Sequence, residues 1–161
     1  MKKNRPKLLI TTHVENFSDC YIEMQELNKE HYKEISAHKK HGFDLKPDYT
    51  RYFIEENKGS LIYITLRCQG ELVGYYIGFL QPDLHYLDCT LCFQDIFFIS
   101  LKARGQNAFP LLLNAVECEA KRRGANRITF GAKYNKQSHI VKPLTDAGYT
   151  PFEIHLIKWL D

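Results

Sequence analysis

The chain has 161 residues, of which 44% are hydrophobic and 25% are charged, and its formal net charge is +3 at pH 7. This charge is too small to predict nucleic-acid binding, and no apolar run reaches the ~18 residues that a membrane span needs. The apolar stretch Leu8-Leu9-Ile10 is also too short for the core of a signal peptide. We therefore expect a single domain over residues 1–161, in the cytoplasm and without membrane contact.

The cysteines predict no metal or disulfide chemistry. There are five of them, an odd number scattered over different predicted elements, as is typical of reduced and mostly buried thiols. Cys89 and Cys92 have the spacing of a metal or redox pair, but they lead into an apolar stretch and no second Cys/His pair lies at zinc-ligand spacing. We interpret them as ordinary core thiols and expect no metal.

The first half of the chain contains strand signals, which are short apolar runs between turn residues, and helix signals, which are apolar positions recurring at three- and four-residue spacing. Ser18 is a suitable N-cap, and Pro47 suits the first turn of a helix. The predicted order is a strand at 7–12, a helix from Ser18 to His38, a helix from Pro47 to Gly59, and two hairpin-linked strands at 61–67 and 72–80.

The second half predicts a loop at 82–88, a strand at 91–100, a helix at 109–123, a strand at 126–134, a helix at 137–147 and a strand at 151–159. The whole order is β-α-α-β-β-β-α-β-α-β, which predicts an α/β (α+β) fold with a mixed sheet and helices on both faces. A crossover through one helix requires the strands at 91–100 and 126–134 to be parallel neighbours.

The loop before the third helix is basic and leads into a helix N-terminus. Its sequence is Lys102-Ala103-Arg104-Gly105-Gln106-Asn107. The N–H groups of the loop, the helix dipole and the charges of Lys102 and Arg104 all favour a bound anion, most often phosphate. The alternative interpretation is an ordinary basic loop that faces water.

This loop and the order of the elements resemble the GNAT family of acyl-CoA-dependent N-acyltransferases. Arg104-Gly105 matches the family motif Gln/Arg-x-x-Gly-x-Gly/Ala in its commoner Arg-Gly form. Lys102 and Asn107 replace the first and last residues of the motif, and Phe109 also stands where a glycine is usual.

The resemblance extends over roughly two thirds of the chain. Residues 71–75 resemble the third strand of the family, 117–125 the end of its pyrophosphate helix, and 146–153 its last helix turning into the final strand. Residues 84–86 and 94–96, together with the loop, are similar to a small GNAT subgroup of bacteria and tailed phages.

The resemblance implies an enzyme that moves an acetyl group from acetyl-CoA to a primary amine, on a small molecule or a protein, by direct attack. Its partners would be acyl-CoA and the amine acceptor, and a homodimer is one option for the assembly. Two alternatives stay open. One is a non-catalytic GNAT-fold module that binds a protein, and the other is a nucleic-acid-associated protein, favoured only by the basic residues between Lys121 and Lys136.

The resemblance also implies where acetyl-CoA would bind. The backbone of three residues ending the fourth strand would pair with the pantetheine arm, and the N–H groups from Arg104 to Ala108 would hold the pyrophosphate. Asn135 matches a family asparagine that contacts the arm. The implied set is Phe98, Ile99, Ser100, Lys102, Arg104, Gly105, Gln106, Asn107, Ala108 and Asn135.

Acyl transfer to an amine needs a base that deprotonates the ammonium, and Asp95 is the candidate. Strict strand alternation places Asp95 on the same face as Phe93, Phe97 and Ile99, whose apolar surface would raise the carboxyl pKa. The alternative is a structural aspartate whose hydrogen bonds fix the strand.

His85 and Tyr86 lie on the loop that enters the same strand and are further catalytic candidates at the acceptor end. A solvated histidine beside a packed tyrosine is the alternative there. Many GNAT enzymes carry a general-acid tyrosine in the last helix, where this chain has Leu144, and Tyr134 would be a substitute.

Overall fold

The computed structural model describes residues 9–35, 38–133 and 138–160. Within them, one sheet of five strands has the order β1-β2-β3-β4-β5. The strands are β1 (Ile10–Val14), β2 (Leu61–Cys68), β3 (Glu71–Pro82), β4 (Thr90–Ile99) and β5 (Arg127–Thr129). The helices are α1 (Phe17–Ile35), α2 (Tyr49–Asn57), α3 (Ala108–Arg122) and α4 (Val141–Asp146), with short 3-10 helices at His38–His41 and Ser138–Ile140.

The pairing directions follow from the connections. Strands β1 to β4 pair antiparallel in sequence order, and β4 pairs with β5 in parallel. The parallel pairing joins Leu91 to Arg127 and Phe93 to Thr129, with α3 as the crossover helix. The predicted parallel neighbours are therefore confirmed, as is the mixed α/β fold.

Two apolar cores cover the two faces of the sheet. On one face α3 packs Leu112 and Val116 against a cluster that includes Phe97 and Ile99 of β4. On the other face α1 and α2 cover a cluster rich in aromatic rings, which includes Phe98. Because both faces are covered, β2 is buried along nearly its whole length instead of alternating.

The predicted helix starts differ from the structure by one or two residues. The helix α1 begins at Phe17, and its first N–H groups donate to the Glu56 carboxylate of α2, so the predicted cap Ser18 lies inside the helix. The helix α2 begins at Tyr49 rather than at Pro47, because the Asp48 side chain accepts from the N–H of Arg51 and caps it.

The predicted final strand at 151–159 is wrong. This segment forms no strand in the described structure, and Phe152, Ile154 and Leu156 are exposed. A strand needs a ladder partner, and β5 extends over three residues only. Trp159 instead stacks on His41 at 4.0 Å between ring centroids. In the described part of the chain, no helix is long and apolar enough to cross a membrane.

Candidate functional site

The sheet opens where β4 and β5 diverge. Their pairing ends at Phe93 and Thr129, while β4 continues to Ile99. Beyond that point the Gln94 side chain accepts a hydrogen bond of 3.1 Å from the N–H of Gly131. In the described part of the chain, the edge of β4 from Gln94 to Ile99 has no strand on the β5 side, so an extended ligand could pair with backbone groups there, apart from the Ile99 carbonyl, which accepts from Arg104.

A bulge in β4 lies at this opening. Ile77 of β3 faces Ile96, and Gly78 faces Gln94, so that Asp95 is an extra residue without a register partner. Strict alternation therefore fails here, and the expectation that Asp95 shares a face with Phe97 and Ile99 is wrong. The bulge turns the Asp95 side chain to the face covered by α2.

Asp95 accepts a hydrogen bond of 2.6 Å from the hydroxyl of Tyr52 in α2. Burial raises the pKa of Asp95 above its ordinary value, and the Tyr52 bond opposes that rise without cancelling it. Part of the Asp95 side chain is exposed to solvent. The protein atoms around it nevertheless make the charged carboxylate less favourable than it is in water. The predicted direction of the pKa shift is confirmed, with a different apolar surface as its cause.

Tyr52 is the residue that the sequence analysis missed. Its ring stacks on Phe17 at 5.1 Å and lies 6.0 Å from Phe79, so the hydroxyl is held in place by aromatic neighbours. Burial and the neighbouring Asp95 raise the pKa of Tyr52 far above its ordinary value, so this hydroxyl remains a donor at every working pH. Tyr52 and Asp95 form a fixed donor–carboxylate pair.

A cleft of about 430 Å³ lies between α1 and the segment before α2. One wall ends at Tyr49, whose ring lies 6.3 Å from that of Phe17, the ring on which Tyr52 also stacks. Tyr49 of the cleft wall and Tyr52 of the Tyr52–Asp95 pair therefore share Phe17 as an aromatic neighbour. Its lining residues are Gln25, Asn28, Lys29, Tyr32, Lys33, Asp44, Leu45, Pro47 and Tyr49.

The loop between β4 and α3 leads into the helix N-terminus, and its N–H groups at Ala103 and Arg104 donate to the Ser100 carbonyl. Gly105 and Asn107 have positive φ values of 78° and 63°. Only glycine adopts this region freely, and asparagine tolerates it better than most residues, which explains why Asn107 can stand at a glycine position of the motif. The side chain of Asn107 does not cap α3, so the first N–H groups of this helix can reach a ligand.

The basic side chains of this loop are paired within the protein. The Arg104 guanidinium donates to both carboxylate oxygens of Glu34 in α1, at 2.9 and 2.7 Å, and to the carbonyl of Ile99 at 2.8 Å. Lys102 forms an ion pair with Glu71. Both side chains therefore fix the loop to its neighbours, and the backbone is left as its main anion donor.

The other candidates do not join Asp95 in the described structure. His85 and Tyr86 are exposed on the β3–β4 loop, and their described contacts stay within that loop. Asn135 and Tyr134 lie outside the described residues. Among the described residues, no group of three or more metal-ligating side chains is arranged to hold a metal ion.

Three basic residues at the end of α3 and in the segment that follows it form contacts within the protein. Arg122 pairs with Glu119, and Arg123 donates to the carbonyls of Leu61 and Gly59. Arg127 pairs with Asp83 at 2.8 Å. These three side chains, of the six basic residues between Lys121 and Lys136, are engaged within the chain.

Solved structures of the same fold have low sequence identity to this chain. The aminoglycoside acetyltransferase HMB0005 from an uncultured soil metagenomic sample has a TM-score of 0.73 and 13% identity, over 96% of this chain and 100% of its own. A ribosomal-protein-alanine N-acetyltransferase from Brucella melitensis biovar Abortus 2308 has a TM-score of 0.67 and 14% identity, over 94% and 99%. AAC(6')-Iy, in complex with the bisubstrate analogue CoA-S-monomethyl-acetylneamine, has a TM-score of 0.69 and 13% identity, over 95% and 99%.

These neighbours are GNAT acetyltransferases, and this chain has the GNAT fold. No protein-family model and no curated protein sequence matches it. At these identities the likeness concerns the arrangement of the sheet and helices.

Proposed function

We propose that this chain is an acyl-CoA-dependent N-acetyltransferase that moves an acetyl group from acetyl-CoA to a primary amine by direct attack. The observation that carries the proposal is the Tyr52–Asp95 pair at the β4 bulge, beside the opening between β4 and β5. The CoA-analogue complex of AAC(6')-Iy, which has the same fold, supports the choice of donor. Because acetyl-CoA is an intracellular metabolite, the proposal includes a cytoplasmic location.

The donor set of this chain fits a nucleotide thioester. The diphosphate would lie on the N–H groups between Arg104 and Ala108, where Gly105 and Asn107 turn the backbone toward the α3 N-terminus. The amide-bearing arm would extend along the unpaired edge of β4 at Phe98, Ile99 and Ser100, and Asn135 would contact it. When bound, acetyl-CoA supplies an activated thioester carbonyl.

In this proposal Asp95 is the general base for the acceptor. Tyr52 occupies Oδ2, so Oδ1 is the oxygen that takes the proton from the ammonium. Tyr52 holds the carboxylate in one orientation, and the raised pKa of Asp95 brings it closer to that of an effective base at neutral pH. The acceptor would enter through the cleft beside Tyr49. His85 and Tyr86 on the β3–β4 loop remain candidates for contacting the acceptor.

The test is a melting experiment followed by an acceptor screen. A ligand present at 100 times its Kd stabilises the folded state by about 2.7 kcal/mol, so excess acetyl-CoA has to raise Tm measurably. Mass spectrometry then follows a gain of one acetyl group on a panel of primary amines. Stabilisation without any acetylated product would favour the non-catalytic module instead, and no stabilisation would refute the proposed donor.

A further inference from the structure

One side of α1 forms a wall of the cleft of about 430 Å³, and the segment before α2 forms the other. A concave site of this volume lies in the range of small-molecule sites. The α1 residues in the lining recur at spacings of three and four, which places them on one side of the helix. They are Gln25, Asn28, Lys29, Tyr32 and Lys33. The polar groups on this side of α1 therefore decide which small molecule fits the cleft.

Asn28 is the buried polar residue of this wall. It is 6% exposed, and in the described part of the chain its carboxamide has no hydrogen-bond partner. The polar atoms of the carboxamide keep access to the cleft, unlike the enclosed Nε2 of His31 on the same helix. A buried amide without a partner costs stability unless a bound molecule supplies one. Asn28 thus offers two N–H donors and a carbonyl acceptor to a ligand.

Tyr32 holds the two walls together. Its hydroxyl donates to the carbonyl of Phe43 at 2.8 Å, which joins α1 to the segment before α2. The hydroxyl has one hydrogen, so this bond leaves it none to give to a ligand. The donors that remain on this side of α1 are the carboxamides of Gln25 and Asn28 and the ammonium groups of the two lysines.

The charges of the lining favour an anionic group in the cleft. Lys29 and Lys33 are four residues apart, so they are neighbours on the helix surface, whereas Asp44 is the one acidic residue of the lining. Lys29 lies 2.7 Å from Glu26, an exposed pair of a kind that contributes little to stability. Among the described residues, Lys33 and Asp44 form no ion pair, with each other or with a third residue. The ammonium of Lys33 is therefore available to a ligand.

We propose that this cleft binds a small-molecule acceptor that carries an anionic group, a carboxylate or a phosphate, in addition to its primary amine. The anionic group accepts from Lys33 and from the carboxamide of Asn28, with the charge of Lys29 beside them. It takes no part in the transfer itself. This inference rests on the proposed function and deepens it by naming the class of acceptor. Two lysines against one aspartate disfavour a polyamine, whose several ammonium groups the lining repels.

The experiment compares amines that differ only in the anionic group. Glycylglycine is paired with glycylglycinamide, and O-phosphoethanolamine with ethanolamine, so that the two pairs distinguish a carboxylate from a phosphate. NMR titration measures the Kd of each amine, and mass spectrometry measures its acetylation by acetyl-CoA. We expect the anionic member of at least one pair to bind about 3- to 10-fold more tightly than its neutral partner, as for one charge-assisted hydrogen bond, and to be acetylated faster.

Variants of the wall test which residues cause the preference. Lys33→Met keeps an unbranched side chain without the charge and should abolish the preference, whereas Lys33→Arg should retain it. Asn28→Asp keeps the size of the side chain and adds a negative charge, so it should reverse the preference. The matched control is Lys142→Met in α4, which removes the same charge from an exposed lysine outside the lining and should leave the preference unchanged.

Equal Kd values within both pairs in the wild-type protein would overturn the inference, and so would an unchanged preference in folded Lys33→Met. Acetylation of amines without a preference for the anionic members would overturn it too, and would leave the proposed function intact. If the anionic amines bind more tightly but acetyl-CoA acetylates none of the four amines, the proposed function fails, while the Kd values still establish the anion selectivity of the cleft.

Discussion

Replacing Asp95 by asparagine separates catalysis from stability, because the two effects have different physical origins. The substitution keeps the size of the side chain and an oxygen that can accept from the Tyr52 hydroxyl. It removes the only group we assign as base. Loss of a general base lowers kcat by roughly 10²–10⁴, which corresponds to about 2.7–5.5 kcal/mol on the barrier. Affinity for acetyl-CoA should change little.

The same substitution should not destabilise the protein. The folded-state pKa of Asp95 is raised, so the folded state favours the protonated form, and its contribution to stability is lost as pH rises through that pKa. At neutral pH the ionised, partly desolvated carboxylate therefore lowers the free energy of unfolding of the wild-type protein. The asparagine side chain is uncharged and does not have this effect. Because the Tyr52 bond is kept, the free energy of unfolding should stay within about 1 kcal/mol of wild type or rise.

The assay measures kcat and Tm on one preparation at pH 7.5, with Asp146→Asn as control. Asp146 is an exposed carboxylate of α4 that pairs with Lys142, far from the β4 bulge in the sequence. In a chain of 161 residues, 1 kcal/mol corresponds to about 2–4 °C in Tm. A variant that melts much earlier and keeps its kcat would identify Asp95 as a structural residue and refute the base assignment.

Three further predictions concern the partners of the site. Tyr52→Phe keeps the ring stacked on Phe17 but removes the bond that lowers the Asp95 pKa, so the acid limb of kcat/KM against pH should move to higher pH; an unmoved limb would contradict this. Arg104→Ala and Glu34→Ala should weaken acetyl-CoA binding by similar amounts, and the double variant little more than either, because the two side chains are 35% and 34% exposed and couple by about 1 kcal/mol. Calorimetry that shows additive losses would count against a shared role. Asn107→Gly should raise the free energy of unfolding by up to about 1 kcal/mol in urea titrations, because φ is 63° there, and acetyl-CoA affinity should persist.

The sequence was sufficient for the parts of the fold that local patterns control. Apolar periodicity located α3 and β4, and the crossover rule then required β4 and β5 to be parallel, as the pairing of Leu91 with Arg127 confirms. The motif loop also lies where predicted, before the N-terminus of α3. Each of these inferences depends on residues that are close together in the chain.

The contacts that define the candidate site join residues far apart in the chain, so local sequence patterns could not predict them. Tyr52 and Asp95 are 43 residues apart, and Glu34 and Arg104 are 70 apart. Alternation also failed twice for physical reasons. A bulge reversed the face of Asp95, and the alternating segment at 151–159 lacks the ladder partner that a strand requires.

The bulge gives β4 a constraint on length that substitution experiments would not reveal. One extra residue opposite Ile77 and Gly78 is what allows Phe97 to face the α3 core while Asp95 faces Tyr52. Deleting Gln94 would restore alternation, place Asp95 opposite Gly78 and move the carboxylate to the face covered by α3, while Phe97 would keep its partner in β3. Phe93, which is 46% exposed, can change identity, but the number of residues here cannot change. The position of the Asp95 carboxylate therefore depends on the number of residues in β4 as well as on their identity.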